Sequence, residues 1–300
     1  MTYSIVARDA ATGEIGVAVQ SHYFSTGSVV TWAEPGVGAV ATQSMARIEY
    51  GPDGLALMRA GASAHAALAR LTAEDRGASV RQVAMIDAEG RVAVHTGERC
   101  IAAAGHISGD GFSAQANMMV DDTIWPAMAD AYRGASGDLA QRMLAALAAA
   151  QDAGGDVRGQ QSAAMIVVSG NRAEPAWKRE IELRIEDHPA PIDEMRRLLA
   201  LHRAYRVNGD GDAALAAGDL TRALSLYEEA RTLAPDNDEL CFWGALALIH
   251  AGHEDRALPL LRGTFARAPG FADLVPRLTH LGMVADDPAL LARIEAMRSG

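Results

Sequence analysis

The first 45 residues contain strands that are apolar on both faces, and this feature limits the possible folds more than any other. Residues 3–8 and 14–21 are rich in strand-forming types and are joined by the turn residues 9–13, which predicts a hairpin. Residues 28–32 and 38–42 are two further strand candidates. A strand that is apolar on both faces lies in a sheet that is covered on both sides. The chain is therefore expected to contain a layered domain.

The order of the remaining elements predicts an α+β domain that ends near Pro189 and Pro191. Helices are expected over residues 53–60, 63–71, 123–132 and 138–152, and strands over 81–86, 91–96, 162–169 and 180–185. Ser63 is a suitable N-cap for the second helix. A polar, glycine-rich loop is expected over residues 105–117. Strands, then helices, then strands indicate one layered domain over residues 1–190, with strands paired largely by hairpins.

The rest of the chain has a repeat of 34 residues. A connecting helix is expected over residues 191–206, and an all-α domain of helical repeats with a degenerate C-terminal cap over 207–300. Three residues recur 34 positions later, Gly218, Ala223 and Pro235 as Gly252, Ala257 and Pro269. This period resembles that of tetratricopeptide repeats, in which two helices pack closely. An unrelated array of helical hairpins is the alternative. The segment 208–212, Asn-Gly-Asp-Gly-Asp, is a poor helix former.

The charge balance argues against several classes of partner. Among 300 residues, 27 are Lys or Arg and 38 are Asp or Glu, so the formal net charge is -11. Nucleic acids and anionic membrane surfaces select for basic proteins, and neither is expected as a partner. Two cysteines, Cys100 and Cys241, are too few for a disulfide framework. Because no membrane span and no signal peptide are visible, a cytoplasmic location is expected.

Thr2 is the strongest candidate for a catalytic residue. Methionine aminopeptidase commonly removes Met1 before a small residue such as threonine, and Thr2 would then carry a free α-amine beside its own hydroxyl. An α-amine titrates near about 7.7–8.0, so a part of it is neutral at physiological pH and can accept the hydroxyl proton. The alternative is that Thr2 is an ordinary strand residue, since many proteins begin with Met-Thr.

Six short segments together resemble those of one family. They are TYSIVARD at residues 2–9, GVAVQS at 16–21, GVGAVATQ at 36–43, FSAQAN at 112–117, GGDVRGQQS at 154–162 and DHP at 187–189. On these segments, residues 1–190 resemble the bacterial domain-of-unknown-function 1028 family, which is placed in the N-terminal nucleophile (Ntn) hydrolase superfamily. The resemblance implies a four-layer αββα sandwich, in agreement with the order of elements above. It implies no particular substrate.

The electrostatic environment of Thr2 differs from that of the best-known Ntn enzymes. Enzymes of the proteasome type place a lysine near the threonine, whereas the only lysine of this chain is Lys178, late in the domain. Arg8 or the α-amine itself would then perform that electrostatic role. Arginine does not lose its proton and cannot act as a base. The mechanism would therefore depend on the α-amine.

Polar side chains near predicted loops and strand ends are the other candidate site residues. Gln115 and Asn117 can donate hydrogen bonds to a tetrahedral oxyanion, although loop amides also bond their own backbone. Gln43 and Ser44 end one predicted strand, and His22 follows another. These three residues are candidates for substrate binding, and satisfied polar groups at strand ends are the alternative.

Asp156 and Arg158 lie in a glycine-rich segment before a predicted strand. Arg158 could bind a substrate carboxylate through two hydrogen bonds, or it could form an internal ion pair with Asp156. The histidines of the domain lack metal-binding spacings such as His-x-x-x-His, and its glycine-rich segments lack the Gly-Lys-Ser/Thr end of a phosphate loop. Neither a metal nor another cofactor is therefore expected.

These observations lead to one hypothesis and one alternative of a different class. The hypothesis is an Ntn amidohydrolase in which Thr2 attacks the carbonyl of a small amide and forms an acyl-enzyme that water releases. The alternative is a non-catalytic binding or scaffold protein that uses the helical repeats as a surface for a protein partner. A homo-oligomer is expected in either case. Retention of Met1 would favour the alternative, because it blocks the amine.

Overall fold

The computed structural model describes residues 2–299 and divides the chain into two compact units. The first unit extends to Arg197, and the second begins at Leu198. Two antiparallel sheets and their covering helices make up the first unit, and the second consists of helices. This combination confirms the fold class that the order of elements predicts.

Ten strands form two sheets in the described part of the first unit. In chain order they are Thr2–Arg8 (β1), Ile15–Ser21 (β2), Thr31–Glu34 (β3), Gly38–Ser44 (β4), Arg81–Asp87 (β5), Val92–Thr96 (β6), Gly105–Gly109 (β7), Phe112–Asn117 (β8), Ser162–Val168 (β9) and Ile181–Ile185 (β10). The six-stranded sheet has the order β10-β9-β2-β1-β8-β7, and the four-stranded sheet has the order β3-β4-β5-β6. As a result, β1 is an interior strand between β2 and β8.

Four helices of this unit lie outside the sheets. They are Tyr50–Arg59 (α1), Ala64–Glu74 (α2), Ile124–Gly134 (α3) and Leu139–Asp152 (α4). The hydroxyl of Ser63 accepts a hydrogen bond from the first turn of α2, which confirms the predicted N-cap. Asp138 and Gln141 form a capping box at the start of α4, each side chain accepting from the other's main-chain N–H. Short 3₁₀ turns at Thr26–Ser28 and Ala78–Val80 precede β3 and β5.

The sheets pack face to face, and the helices cover their outer sides. Val6 and Val17 of the six-stranded sheet lie in one apolar cluster with Ala39 and Ile86 of the four-stranded sheet. Helix α4 contacts β1 and β2, and α3 contacts β7 and β8. On the other side, α1 contacts β3 and β4, and α2 contacts β5 and β6. The layers are thus helix, sheet, sheet and helix, and β1 is buried on both faces as its sequence predicts.

Residues 105–117 form a β-hairpin and not the loop that their glycine content predicts. β7 pairs with β8, and β8 pairs along its full length with β1. Gly111 has a φ of 69° in the connecting turn, a conformation that glycine adopts without strain. All six residues of β8 are buried. The prediction was wrong because pairing with β1 and burial on both faces, rather than local propensity, decide this segment.

The second unit consists of helices whose positions follow the repeat. The helices are Pro191–Ala216 (α5, which begins in the first unit), Leu220–Leu233 (α6), Asp238–His250 (α7), Glu254–Arg267 (α8), Val275–His280 (α9) and Pro288–Glu295 (α10), with 3₁₀ turns at Pro269–Leu274 and Ala296–Ser299. Gly218 and Gly252 follow α5 and α7 with φ of 81° and 83°. Ala223 and Ala257 are fully buried in α6 and α8. The 34-residue period therefore corresponds to one pair of helices.

Helix α5 continues through residues 208–212, which the sequence predicts to be a poor helix former. A Cβ atom at Gly211 would come within 2.7 Å of the Tyr227 ring, so the glycine allows the two helices to approach closely. The hydroxyl of Tyr227 donates a hydrogen bond to Asp212 at 2.7 Å. This packing overcomes the low helix propensity of the segment. The helix that the sequence predicts over 191–206 consequently extends to Ala216.

Candidate active site

Thr2 begins β1, near the middle of the six-stranded sheet. It pairs with Ser21 of β2 on one side and with Asn117 of β8 on the other. Ser21 also pairs with Ser162 of β9, so four polar residues form a row across the end of the sheet. Directly paired residues of antiparallel strands project to the same face. Thr2 is 4% exposed, and the other three residues are fully buried.

Both sheets contribute polar groups to Thr2. Its hydroxyl Oγ1 lies 3.0 Å from Oγ of Ser21. Its main-chain oxygen accepts hydrogen bonds from Nε2 of Gln43 at 3.2 Å and from Nδ2 of Asn117 at 3.4 Å. Gln43 belongs to the four-stranded sheet, so the polar row faces the space between the sheets. The structure thus brings together three of the residues that the sequence suggests, Thr2, Gln43 and Asn117.

Gln82 of β5 links these amides, and the sequence analysis did not identify it. Its Oε1 accepts from Gln43 at 2.8 Å and from Asn117 at 2.9 Å. Its Nε2 donates to Oγ1 of Thr96 at 2.9 Å and to two main-chain oxygens. Because three acceptors surround the nitrogen, the orientation of this amide is defined. The signal in the sequence is a single glutamine at the start of an otherwise apolar strand, Gln82 to Ile86.

Gln115 acts on Thr2 only indirectly. Its Nε2 donates to Oγ of Ser4 at 2.7 Å, and Ser4 donates to Oε1 of Gln43 at 2.6 Å. Gln115 pairs with Ser4, two residues further along β1 than Thr2. The buried oxygens Oε1 of Gln115 and Oδ1 of Asn117 have no hydrogen-bond partner among the described residues. The arrangement therefore makes Gln115 a positioning residue for Ser4 and Gln43.

Asp156 and Arg158 form an internal ion pair beside the polar row. The guanidinium donates from Nε to one carboxylate oxygen at 3.1 Å and from Nη2 to the other at 2.8 Å. The Asp156 carboxylate is buried and also accepts from the main-chain nitrogen of His22 at 3.4 Å. Burial, together with the negative charges of Asp156 and Asp152, raises the pKa of Tyr3. Of the two interpretations of Arg158, the geometry matches the internal pair.

The chain adopts left-handed backbone conformations directly after two of the site amides. Ser44 follows Gln43 with a φ of 71°, and Met118 follows Asn117 with a φ of 57°. For residues other than glycine, such conformations cost on the order of 1–3 kcal/mol and are enriched at functional sites. The strain is thus located where β4 and β8 leave the site. Gln43 and Ser44 are the last two residues of β4, and both therefore end a strand as the sequence predicts.

Arg8 and Lys178 lie at the opposite end of the sandwich from Thr2. Arg8 ends β1, about 20 Å from Thr2 at roughly 3.3 Å per strand residue. The expectation that Arg8 compensates for a missing lysine beside Thr2 is therefore wrong, because an extended strand separates the two residues. Lys178 forms ion pairs with Glu174 at 2.8 Å and Glu180 at 3.4 Å. Its hydrogen bond with Glu174 raises the pKa of Lys178 and favours the charged form.

Residues 2–299 contain neither a cluster of metal-ligating side chains nor a helix suited to crossing a membrane. No three His, Cys, Asp or Glu side chains in this range are grouped so that they could hold a metal ion. Across the same range, no helix combines the length and the apolar character that crossing a bilayer requires.

Comparison with known proteins identifies both parts of the chain. The model of the family of unknown function DUF1028 matches residues 2–195, and that of the tetratricopeptide repeat matches residues 214–275. Among solved structures, the crystal structure of the DUF1028 protein SPO2555 from Silicibacter pomeroyi is 31% identical with a TM-score of 0.60. That match covers 66% of this chain and 87% of the other. No curated protein matches the chain. The chain therefore belongs to the DUF1028 family and continues into a tetratricopeptide-type repeat.

Proposed function

We propose that this protein is an Ntn amidohydrolase in which Thr2, as the first residue of the mature chain, is the nucleophile. The position of Thr2 is the observation that supports this most directly. It begins an interior strand, its hydroxyl is 3.0 Å from Ser21, and its main-chain oxygen is held by amides from both sheets. A nucleophile that is held in this way needs little reorganisation before it attacks. The four-layer arrangement agrees with the fold that the resemblance to Ntn hydrolases implies.

The α-amine of Thr2 is the base in the proposed reaction. It takes the proton of the Thr2 hydroxyl, directly or through the Ser21 hydroxyl, while Oγ1 attacks the carbonyl carbon of the amide. The resulting tetrahedral intermediate collapses when its C–N bond breaks, and the α-ammonium group gives its proton to the departing amine. The product is an ester between the acyl group and Thr2. Water then hydrolyses this ester by the same proton transfers and restores the free hydroxyl.

Asn117 is the proposed donor to the oxyanion. Its bond to Oε1 of Gln82, at 2.9 Å, holds the amide in place. Its bond to the main-chain oxygen of Thr2 is longer, at 3.4 Å, and such long bonds are weak. A small rotation would transfer that N–H to an oxyanion, where a charged acceptor makes a stronger bond. Ser21 is the proposed proton relay.

The first test is the mass of the intact purified protein together with the sequence of its N-terminal peptide. Met1 lies outside the described residues, and this measurement shows whether it has been removed. A chain that begins at Thr2 meets the requirement of the mechanism. Full retention of Met1 contradicts the mechanism, because the amine is then part of a peptide bond, and it favours the scaffold alternative.

The second test is a panel of amides hydrolysed by the wild type and by three variants. Thr2→Ala is expected to lose about 10³-fold or more in kcat/KM, as when other nucleophiles are removed. Thr2→Ser keeps a hydroxyl and is expected to keep most of the rate. Thr12→Ala is the matched control, because Thr12 lies in the exposed turn between β1 and β2. Full activity of Thr2→Ala on any substrate contradicts the proposal.

A further inference from the structure

Exposed large apolar side chains are concentrated at one end of the first unit. The described part of this unit has eight such side chains, and seven of them lie in the loops at the end where Thr2 is found. We call these seven the apolar rim: Tyr23, Phe24, Met45, Ile48, Ile101, Val120 and Val157. Their exposed fractions lie between 44% and 62%. Clusters of exposed apolar side chains on a protein surface mark binding sites more often than single exposed residues do.

The strand registers place four of these residues around the site. Tyr23 and Phe24 follow Ser21, the partner of Thr2 in β2. Met45 comes directly after Ser44, where β4 leaves the site, and Val120 follows the end of β8. The left-handed residues Ser44 and Met118 connect the buried amides to these two segments.

Main-chain hydrogen bonds attach two more rim residues to the same edge. The oxygen of Ile101 accepts from the nitrogen of Met118 at 2.9 Å. The nitrogen of Val157 donates to the oxygen of Met118 at 3.4 Å. Ile101 and Val157, from two different loops, are therefore both held next to the end of β8. The rim is assembled from five separate segments of the chain around the end of β1 that holds Thr2.

The opposite end of the same sandwich has a different composition. There the connections between strands are polar, such as Asp9–Gly13 between β1 and β2 and the residues after Asp87 between β5 and β6. Trp177 is the single exposed large apolar residue of the described first unit that lies at this end. The apolar rim is therefore a property of the Thr2 end and not of the surface as a whole.

The polar groups of the site are uncharged or already paired. Gln43 and Asn117 bear amide groups, and Thr2 reacts in the form in which its hydroxyl and its α-amine are both uncharged. Arg158 is engaged by the buried carboxylate of Asp156 through two hydrogen bonds. If a substrate carboxylate bound Arg158 in place of Asp156, the Asp156 carboxylate would remain buried without a cation. An unpaired buried charge strongly destabilises the folded state. The charges next to the site therefore favour an uncharged ligand.

We propose that the substrate is an amide whose acyl portion is apolar and uncharged and lies on the apolar rim. This inference rests on the proposed function. The acyl portion stays attached to Thr2 after the amine has left. Side chains near Thr2, such as those of the rim, therefore contact the acyl portion throughout the reaction. Each methylene that the rim removes from water contributes about fourfold to binding. A second copy of the chain is the competing occupant of the rim, and the test below separates the two.

The test uses two β-lactone probes with the same ring and side chains of equal length, one ending in a methyl group and one in a carboxylate. Oγ1 of Thr2 attacks the lactone carbonyl, the acyl–oxygen bond of the ring breaks, and the ring oxygen takes the proton. The probe is thus added whole, without a leaving group. The rate is followed by intact mass, and the labelled residue is located by peptide mapping.

The alkyl probe is expected to label Thr2 at least ~10-fold faster than the carboxylate probe. Phe24→Gln and Met45→Gln are expected to reduce this ratio about 10-fold, because an uncharged polar side chain removes apolar contact with the alkyl chain and does not repel the carboxylate. The expected drop thus comes from slower alkyl labelling. Trp177→Gln is the matched control at the other end and should leave the ratio unchanged. All three residues are more than half exposed, so the substitutions do not disturb the core.

Three outcomes would overturn the inference. Equal rates, or faster labelling by the carboxylate probe, contradict the substrate class and leave Thr2 as the nucleophile. A change in native mass from dimer to monomer in Phe24→Gln and Met45→Gln, with an unchanged ratio, assigns the rim to contact between copies of the chain. Absence of labelling by both probes, in a chain that begins at Thr2, contradicts the proposed function itself, and the inference falls with it.

Discussion

Gln43 and Asn117 come from different sheets, yet their side-chain nitrogens lie 2.8 and 2.9 Å from the same atom, Oε1 of Gln82. The same two nitrogens also donate to the main-chain oxygen of Thr2. Gln82 therefore sets the direction of both amides, and through them the position of the first residue of β1. These bonds hold the three amides in one arrangement, in which Oδ1 of Asn117 is the one amide atom without a partner among the described residues.

Gln82→Leu is expected to destabilise the protein by about 3 kcal/mol or more. The change leaves N–H groups of Gln43 and Asn117 without their acceptor, and each buried unsatisfied group costs about 1–3 kcal/mol. Urea unfolding followed by circular dichroism measures the loss. Gln161→Leu is the control, because Gln161 makes an exposed bond to Asp187, and it should stay within about 0.5 kcal/mol. Equal losses in both variants would contradict the central role of Gln82.

Ser21→Ala is expected to slow the reaction of Thr2 with the alkyl β-lactone by about 10-fold or more. This is less than the ~10²–10⁴-fold typical of a lost general base, because the α-amine can still take the proton directly. The expected loss of stability is about 1–3 kcal/mol, because Oγ1 of Thr2 loses a buried hydrogen-bond partner. Ser113→Ala is the matched control, since Ser113 is equally buried but pairs with Val6, four residues away from Thr2 along β1. A labelling rate that is the same in both variants would exclude Ser21 as the relay.

Asp156→Asn is expected to destabilise the protein by about 1–3 kcal/mol, because Arg158 loses a buried carboxylate partner. Part of the Arg158 side chain reaches solvent, which limits the loss. The control is Asp130→Asn, which removes the exposed ion pair with Arg133 on α3 and should cost less than about 0.5 kcal/mol. Thermal melting of the two variants at equal ionic strength measures the difference. A larger loss in Asp130→Asn would contradict this assignment.

The stability of the first unit is expected to rise with pH as His106 loses its proton. Desolvation of the ring and the nearby His95 lower the pKa of His106. Between the folded pKa and the unfolded value of about 6.5, the unfolded state binds more protons, so the free energy of unfolding increases with pH. Below the pKa that His106 has in the folded state, the stability that the neutral ring contributes is lost completely. Nδ1 of His106 lies 2.9 Å from Oγ1 of Thr96, which connects the ring to Gln82.

His106→Gln should flatten that increase, measured as the urea midpoint at several pH values from about 5 to 8. His65→Gln, on the exposed side of α2, is the control and should leave the slope as in the wild type. A slope that is unchanged in His106→Gln would show that another group causes the pH dependence.

Replacement by alanine at two glycines of α5 is expected to change the stability of the protein in opposite directions. At Gly209 a Cβ meets no atom within 4 Å, so Gly209→Ala should stabilise the helix by about 0.5–1 kcal/mol. At Gly211 a Cβ would lie 2.7 Å from the Tyr227 ring, so Gly211→Ala should destabilise by about 1–3 kcal/mol despite its better helix propensity. Thermal unfolding of both variants measures the two changes in stability. Stabilisation by both changes would show that the contact with Tyr227 is not needed.

Local patterns in the sequence determined much of the fold. The hairpin of β1 and β2 has its turn residues next to its strands, and the N-cap at Ser63 acts within one turn of helix. The spacing between Gly218 and Gly252 records a repeated pair of helices. Each of these features depends on residues that are close along the chain or periodic, so the one-dimensional pattern contains the required information.

The tertiary structure decided the site. Asn117 reaches Thr2 across 115 positions and Gln43 across 41, and Gln82 joins both from a third strand. Because of the same packing, residues 105–117 form a hairpin whose second strand pairs with β1, and Arg8 lies at the far end of β1. Which strands become neighbours depends on how much apolar surface the whole assembly buries, and local propensity does not contain that quantity.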